Sequence, residues 1–365
     1  MNIKQTHLIF FCFLCLLLSS SCQGKIECSE YSADDSAWAA DEISPDLHHL
    51  NTPFSDEQFT LNSNTLQLLL ELNHFSVDEG QDEVLFGLRG CSIIDENSTD
   101  FSTAVTLAER TPNHQEYRDV IGVWKQSTGE IDVFPASTVP NWWYMCVQAE
   151  LGGHQANMLP TGKYLYKVGQ HRVINGAFRS DQEVIVLRSN DDLVYETSDF
   201  WEKWVPNDNI HPGGCPDSMF SSAGCQTIPG SFGTGCEGYY PAQEDAHLGP
   251  WGDFRTSAGL DPEDNQDKWG ETYIYLLFHC RDARIVSQNI DLEGFQRLRF
   301  GSSGPDVRNL QLALIDLGYT DVPVDGILGP DTAEAYIQWQ QLNYGGEADG
   351  IVTPETAEQL GFTLE

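Results

Sequence analysis

Positive charge is what this chain has least of: 19 Lys and Arg stand against 55 Asp and Glu, a net charge of −36 over 365 residues. Such a surface repels phosphate backbones and anionic headgroups, which argues against nucleic acid and acidic lipid as partners. A membrane-spanning run is missing too. The apolar stretch Leu8 to Leu18 is too short to cross a bilayer as a mature helix. No His-Glu-x-x-His occurs, and the histidines show no zinc-ligand spacing on a helix, so neither a metal nor another cofactor is expected.

Lys4 ahead of the apolar run makes residues 1–22 read as a signal peptide. The run ends in Ser19-Ser20-Ser21-Cys22, which is similar to the lipobox of bacterial lipoproteins, with Cys22 as the acylated residue and membrane anchor. Ser19 stands where that pattern favours an aliphatic residue, so plain secretion stays open. Both routes place the mature protein outside the cytoplasm, secreted or periplasmic, and lipidation would make it an outer-membrane lipoprotein. Past the leader the cysteines are Cys22, Cys28, Cys91, Cys146, Cys215, Cys225, Cys236 and Cys280. With Cys22 lipidated and Cys225 free, the remainder suffices for three disulfides in an oxidising compartment, in any of fifteen pairings.

Hydrophobic content of 40% supports folded cores, and the length calls for two of them behind the leader. Residues 23–54 are acidic and Ser/Asp-rich, and read as a linker. Residues 55–285 read as a mostly β domain. Strand-like runs fall at Val84 to Leu88, Val120 to Trp124, Ile131 to Phe134, Tyr164 to Val168, Val184 to Leu187 and Tyr273 to Phe278. Leu66, Leu69 and Leu70 predict one short helix between Asn64 and His74. The Gly-, Pro-, Asp- and Trp-rich segment Pro206 to Gly270 exceeds an ordinary connection, and its three cysteines predict an ordered, stapled loop.

Residues 297–361 form a separate all-α unit with an internal repeat. Asp325-Gly326-Ile327-Leu328-Gly329-Pro330 recurs as Asp349-Gly350-Ile351-Val352-Thr353-Pro354, and each proline opens a helix at its first turn. Pro305 opens another, with Val307, Leu310, Leu314 and Leu317 on one face and Gly318 ending it. These offsets resemble the three-helix peptidoglycan-binding domain of bacteria, and the resemblance implies peptidoglycan as a partner.

The remaining motif is Asn209 to Gln226, NIHPGGCPDSMFSSAGCQ. A cysteine among small residues on a tight turn, with a histidine ahead of it, is the pattern of a thiol nucleophile and its base. Cys225 and His211 are the candidates, and a histidine beside the sulfur would keep a thiolate ready. The bland alternative puts Cys225 in a disulfide. Ser222 would support the turn, while Gly224 and Gln226 beside the Cys225 N–H would shape an oxyanion site. The order His211, spacer, Ser222-Ala223-Gly224-Cys225 resembles the catalytic-cysteine L,D-transpeptidases of bacterial walls, as do Asp119 to Thr138 and Met158 to Tyr164 upstream. That resemblance implies an L,D-transpeptidase-like β-sandwich with minor helix, acting on peptidoglycan stem peptides through an acyl-enzyme. Ala223 replaces the family's histidine, and Gln226-Thr227 its usual pair after the cysteine. Hydrolysis, transfer and non-catalytic wall binding therefore all remain in play.

Overall fold

The computed structural model describes residues 28, 44–77, 80–94, 100–189, 192–261, 263–290 and 292–364. The leader, Cys22 and most of the acidic segment after it lie outside these. The strands are β1 (Gln58–Asn62), β2 (Glu83–Arg89), β3 (Cys91–Ile93), β4 (Ala104–Glu109), β5 (Asp119–Lys125), β6 (Glu130–Ala136), β7 (Gly162–His171), β8 (Ile174–Arg179), β9 (Val184–Arg188), β10 (Phe200–Trp204), β11 (Ile210–Pro212), β12 (Gln226–Ile228), β13 (Ser231–Phe232), β14 (His247–Leu248) and β15 (Thr272–His279). The helices are α1 (Pro45–His48), α2 (Ser63–Leu72), α3 (Trp142–Leu151), α4 (Pro250–Ser257), α5 (Cys280–Ser287), α6 (Pro305–Asp316), α7 (Pro330–Asn343) and α8 (Pro354–Gln359).

Eight strands form one mixed sheet in the order β12-β11-β8-β7-β15-β2-β5-β6. Strands β2, β5 and β15 are near-continuous apolar runs because both faces are covered, whereas β7 alternates buried and exposed residues. Alternate residues go to opposite sides: Ile274, Leu276 and Phe278 of β15 join one cluster, Tyr273, Tyr275 and Leu277 the other. The two edge strands meet where Ser137, just past β6, and Thr227 of β12 exchange backbone hydrogen bonds of 2.8 Å each. The domain is mostly β as expected, and this contact curls the sheet back on itself. A three-stranded sheet, β1-β4-β3, packs with α2 and α5 into the cluster that holds Ile274, Leu276 and Phe278. The Asn62 side chain caps α2 by accepting from Thr65 N at 3.0 Å, and its Leu66, Leu69 and Leu70 are buried as their spacing predicts.

Part of the segment expected to be a linker is folded against this body. Asp46 meets the fully buried Arg89 at 2.5 Å, His49 meets Asp282 at 3.3 Å, and Cys28 is bonded to Cys146. Low hydrophobicity suggested a tether here, but buried arginines and a cysteine bind the segment by polar and covalent contacts. Cys91–Cys280 and Cys215–Cys236 are the other bridges.

In the C-terminal unit the two repeats fold the same way. The Asp325 carboxylate accepts from Gln311 at 2.8 Å and from Ile327 N at 2.9 Å; Asp349 accepts from Gln340 at 2.7 Å and Ile351 N at 2.9 Å. Pro305, Pro330 and Pro354 open α6, α7 and α8 as expected, while Leu317 caps its helix and is 56% exposed. The unit is docked, not tethered. Ile185 is part of its core, Trp201 packs against it, Lys203 pairs with Asp331 (2.8 Å) and Glu334 (2.9 Å), and Ala348 N–H donates to Thr197 O (2.9 Å). Among the described residues no helix is long and apolar enough to cross a membrane.

Candidate functional site

Strand pairing brings the predicted cysteine and histidine together. β11 and β12 run parallel with Ile210 opposite Gln226, which sets Cys225 beside Asn209 and His211 opposite Thr227. β11 also pairs with β8, and β8 with β7, so the β7–β8 turn reaches the same place. An irregularity at Gly169/Gln170 shifts the register of β7, as bulges beside functional sites do. His171 then stacks on His211, ring centres 4.1 Å apart and planes 9° from parallel. The ligating atoms of His171, His211 and Cys225 all lie within 4.8 Å of one another.

Among the described residues Cys225 is the free cysteine, bracketed in sequence by the bonded Cys215 and Cys236. Its turn is built as expected of Ser222. That hydroxyl donates to the Cys225 carbonyl (2.6 Å) and accepts from Gly224 N–H (3.0 Å). Gly224 is required by space: a Cβ there would stand 2.5 Å from Asn157 Nδ2 and 2.6 Å from Asp208 Oδ1. Gln226 points away from the cleft. Its N–H donates to Asn209 O (2.9 Å), and its buried amide joins Gly224 O (3.1 Å) and Tyr275 Oη (3.2 Å). It braces the turn and offers no donor for an oxyanion.

Hydrogen bonds fix the two imidazoles in opposite forms. His211 Nδ1 lies 2.9 Å from the Pro212 carbonyl, an acceptor only, so Nδ1 carries the proton and Nε2 is left as a base. His171 Nδ1 faces Asn209 Nδ2 at 2.7 Å, and Ser180 N–H donating to Asn209 Oδ1 (3.0 Å) fixes that amide. His171 Nδ1 is thus an acceptor and its Nε2 carries the proton. The trio presents a donor, an acceptor and a thiol, a set less suited to a metal than three lone pairs.

Burial governs the charges. It lowers His211 to about 3, with His171 adding to the effect, and lowers His171 to about 4, with Arg172 and Arg179 adding. Burial and then the Asp208 carboxylate push the Cys225 thiol up to about 12. The resting pair is therefore thiol and neutral imidazole, not the ready thiolate expected from proximity. Asp208, buried and accepting from Asn157 Nδ2, is itself raised to about 7 by burial.

The sulfur opens on a cleft of about 490 Å³ bounded by His154, Asn157, His171, Arg172, Arg179 and Asn207 to Asn209. Sequence reasoning missed His171, Asn157, Asp208 and the two arginines. Asn207-Asp208-Asn209, a polar run immediately before His211, was the available signal; His171 comes from a strand whose approach no local spacing reveals. Of the tryptophans, Trp251 is core, and Trp204 stacks on His154 at the cleft rim with centres 4.2 Å apart.

Residues 303–360 match the family described as "Putative peptidoglycan binding domain". No curated protein and no solved structure matches the chain. The matched domain makes this a cell-wall-associated protein with peptidoglycan as its partner, and with the three disulfides it indicates an extracytoplasmic location.

Proposed function

We propose that residues 55–285 form an L,D-transpeptidase-like catalytic domain that cleaves an amide of the peptidoglycan stem peptide through a thioester on Cys225. The observation that carries the reading is a free thiol held beside an imidazole whose basic nitrogen is set by its bond to Pro212. Cys225 Sγ attacks the carbonyl carbon as its proton passes to His211 Nε2, so no thiolate need exist beforehand. The C–N bond then breaks and His211 returns the proton to the leaving amine. An acceptor amine completes a transfer and water a hydrolysis, each restoring the thiol. The backbone N–H groups of Asn209 and Cys225 both lie against the Cys225 sulfur, and the Cys225 N–H is the donor proposed for the developing oxyanion.

Incubating the mature protein with muropeptides and weighing it intact tests this. The expected result is an acyl adduct on Cys225, absent in Cys225→Ala and formed roughly 100- to 10,000-fold more slowly in His211→Ala. No adduct with any stem peptide would leave a wall-binding protein without catalysis. An amine added in competition with water separates transfer from hydrolysis by product mass. Lipid on Cys22 belongs to the same proposal, and a mature N-terminus elsewhere in residues 19–25 without acyl mass would refute it.

A further inference from the structure

In a chain so rich in acid, the described cations find partners: many a carboxylate, others a backbone carbonyl, as Arg255 on Gly176 O (3.1 Å) and Arg308 on Val324 O (3.3 Å), or a ring, as Lys125 over Phe101 (3.7 Å). Arg188 has Glu202 at 2.6 Å, Lys203 has Asp331 and Glu334, and Lys167 has Asp181 at 2.8 Å. Arg172 and Arg179 differ. Both border the Cys225 cleft, and among the described residues neither guanidinium meets a carboxylate at ion-pair distance or makes a side-chain hydrogen bond. The Arg179 Nε is enclosed without any partner. Arg172 sits on the β7–β8 turn with φ +53°, a left-handed conformation that suits Asn or Gly better than a long side chain. An unpaired guanidinium in that position is unexplained by folding. Both charges act on His171, and that of Arg172 reaches His211 and Cys225 as well, so their fields extend to the reacting atoms.

We infer that Arg172 and Arg179 receive a free carboxylate of the substrate, so that the cleft selects a peptide bearing a carboxylate next to the carbonyl that Cys225 attacks. The inference rests on the catalytic reading for its attacked carbonyl, while the binding itself does not require turnover. Guanidinium is suited to the task because its planar fork meets a carboxylate with two parallel hydrogen bonds. The one acid inside the cleft does not compete. Asp208 is buried behind Gly224 and held by Asn157, and its raised carboxyl carries reduced charge near neutrality. Elsewhere a surface of net charge −36 repels an anionic peptide, so a local cationic wall at the sulfur also orients it.

The test uses the mature Cys225→Ala protein, so that binding is read without turnover. Calorimetry compares an N-acetylated stem tetrapeptide with the same peptide carrying carboxamides in place of carboxylates. A charge-assisted hydrogen bond at this half-open site predicts about tenfold weaker binding of the amide. Arg172→Gln and Arg179→Gln should each shrink that difference, and together reduce it below about twofold, whereas Arg179→Lys keeps part of it. Arg172 lies on an exposed turn, so its replacement leaves the core untouched. The inference is overturned if acid and amide bind alike, if neither binds, or if the doubly substituted protein still discriminates. Discrimination without any adduct on unsubstituted Cys225 would instead remove the catalytic reading and leave the carboxylate site standing.

Discussion

The resting state of Cys225 offers a sharp measurement. Its thiol moves from 9.0 to about 12, chiefly through burial. At pH 7.5 that lowers the thiolate population by about a thousandfold. A more basic thiolate is also a better nucleophile, and a Brønsted slope of about 0.4–0.5 returns roughly 15- to 30-fold. Reaction with a small neutral pyridyl disulfide should thus run roughly 30- to 60-fold slower than with free cysteine, followed by pyridinethione absorbance. The logarithm of the rate should climb with pH, flatten near pH 7 as Asp208 ionises and raises the thiol further, then climb again without a plateau below pH 9. Asp208→Asn should remove the flattening and lower the inflection, because the carboxylate is the second cause of the shift. A rate matching free cysteine, or a plateau in the acid range, would mean a thiolate–imidazolium pair and would refute this reasoning.

Glu109, fully buried, receives Arg281 at 2.6 Å and Arg284 at 2.9 Å, so Glu109→Gln should cost about 3 kcal/mol or more by urea denaturation, since it leaves buried guanidiniums without an anion. Breaking Cys91–Cys280, which spans 189 residues, should cost about 5 kcal/mol on chain entropy, read as a lower denaturation midpoint. The full mature chain should sediment with purified sacculi, and Cys225→Ala equally well, because the matched wall-binding residues 303–360 are separate in sequence from the cleft; soluble Cys225→Ala alongside bound wild type would contradict that division.

The C-terminal helices were legible because Pro305, Pro330 and Pro354 mark their starts and the repeated Asp-Gly fixes the turns between them. The six expected strands all exist: β2, β5, β9 and β15 are apolar runs buried on both faces, and β7 shows the alternation of a strand exposed on one. Helix α3 did not show because WWYMCVQAEL is apolar all round and has no amphipathic period, and α5 did not because its arginines are buried against Glu109. Cys225 and His211 could be read from spacing and small neighbours. His171, 40 residues before His211, reaches the sulfur only through the pairing of β7, β8 and β11, a long-range consequence of the fold.

The bonded pair Cys215–Cys236 encloses the free Cys225 in a loop of 21 residues, and this complicates the protein's passage out of the cell. In an unfolded exported chain, joining Cys225 to either neighbour closes a loop about half as long. Closure entropy favours each such mistake by roughly 0.6 kcal/mol, close to threefold. Early oxidation should therefore trap the sulfur proposed as the nucleophile, and native material should emerge only after exchange of disulfides. A time course of oxidative refolding, mapped without reductant, would show Cys225 bonded first and released afterwards, while Cys225→Ala protein reaches its native bridges sooner. Secretion of this chain is then tied to whatever thiol-exchange capacity its compartment provides.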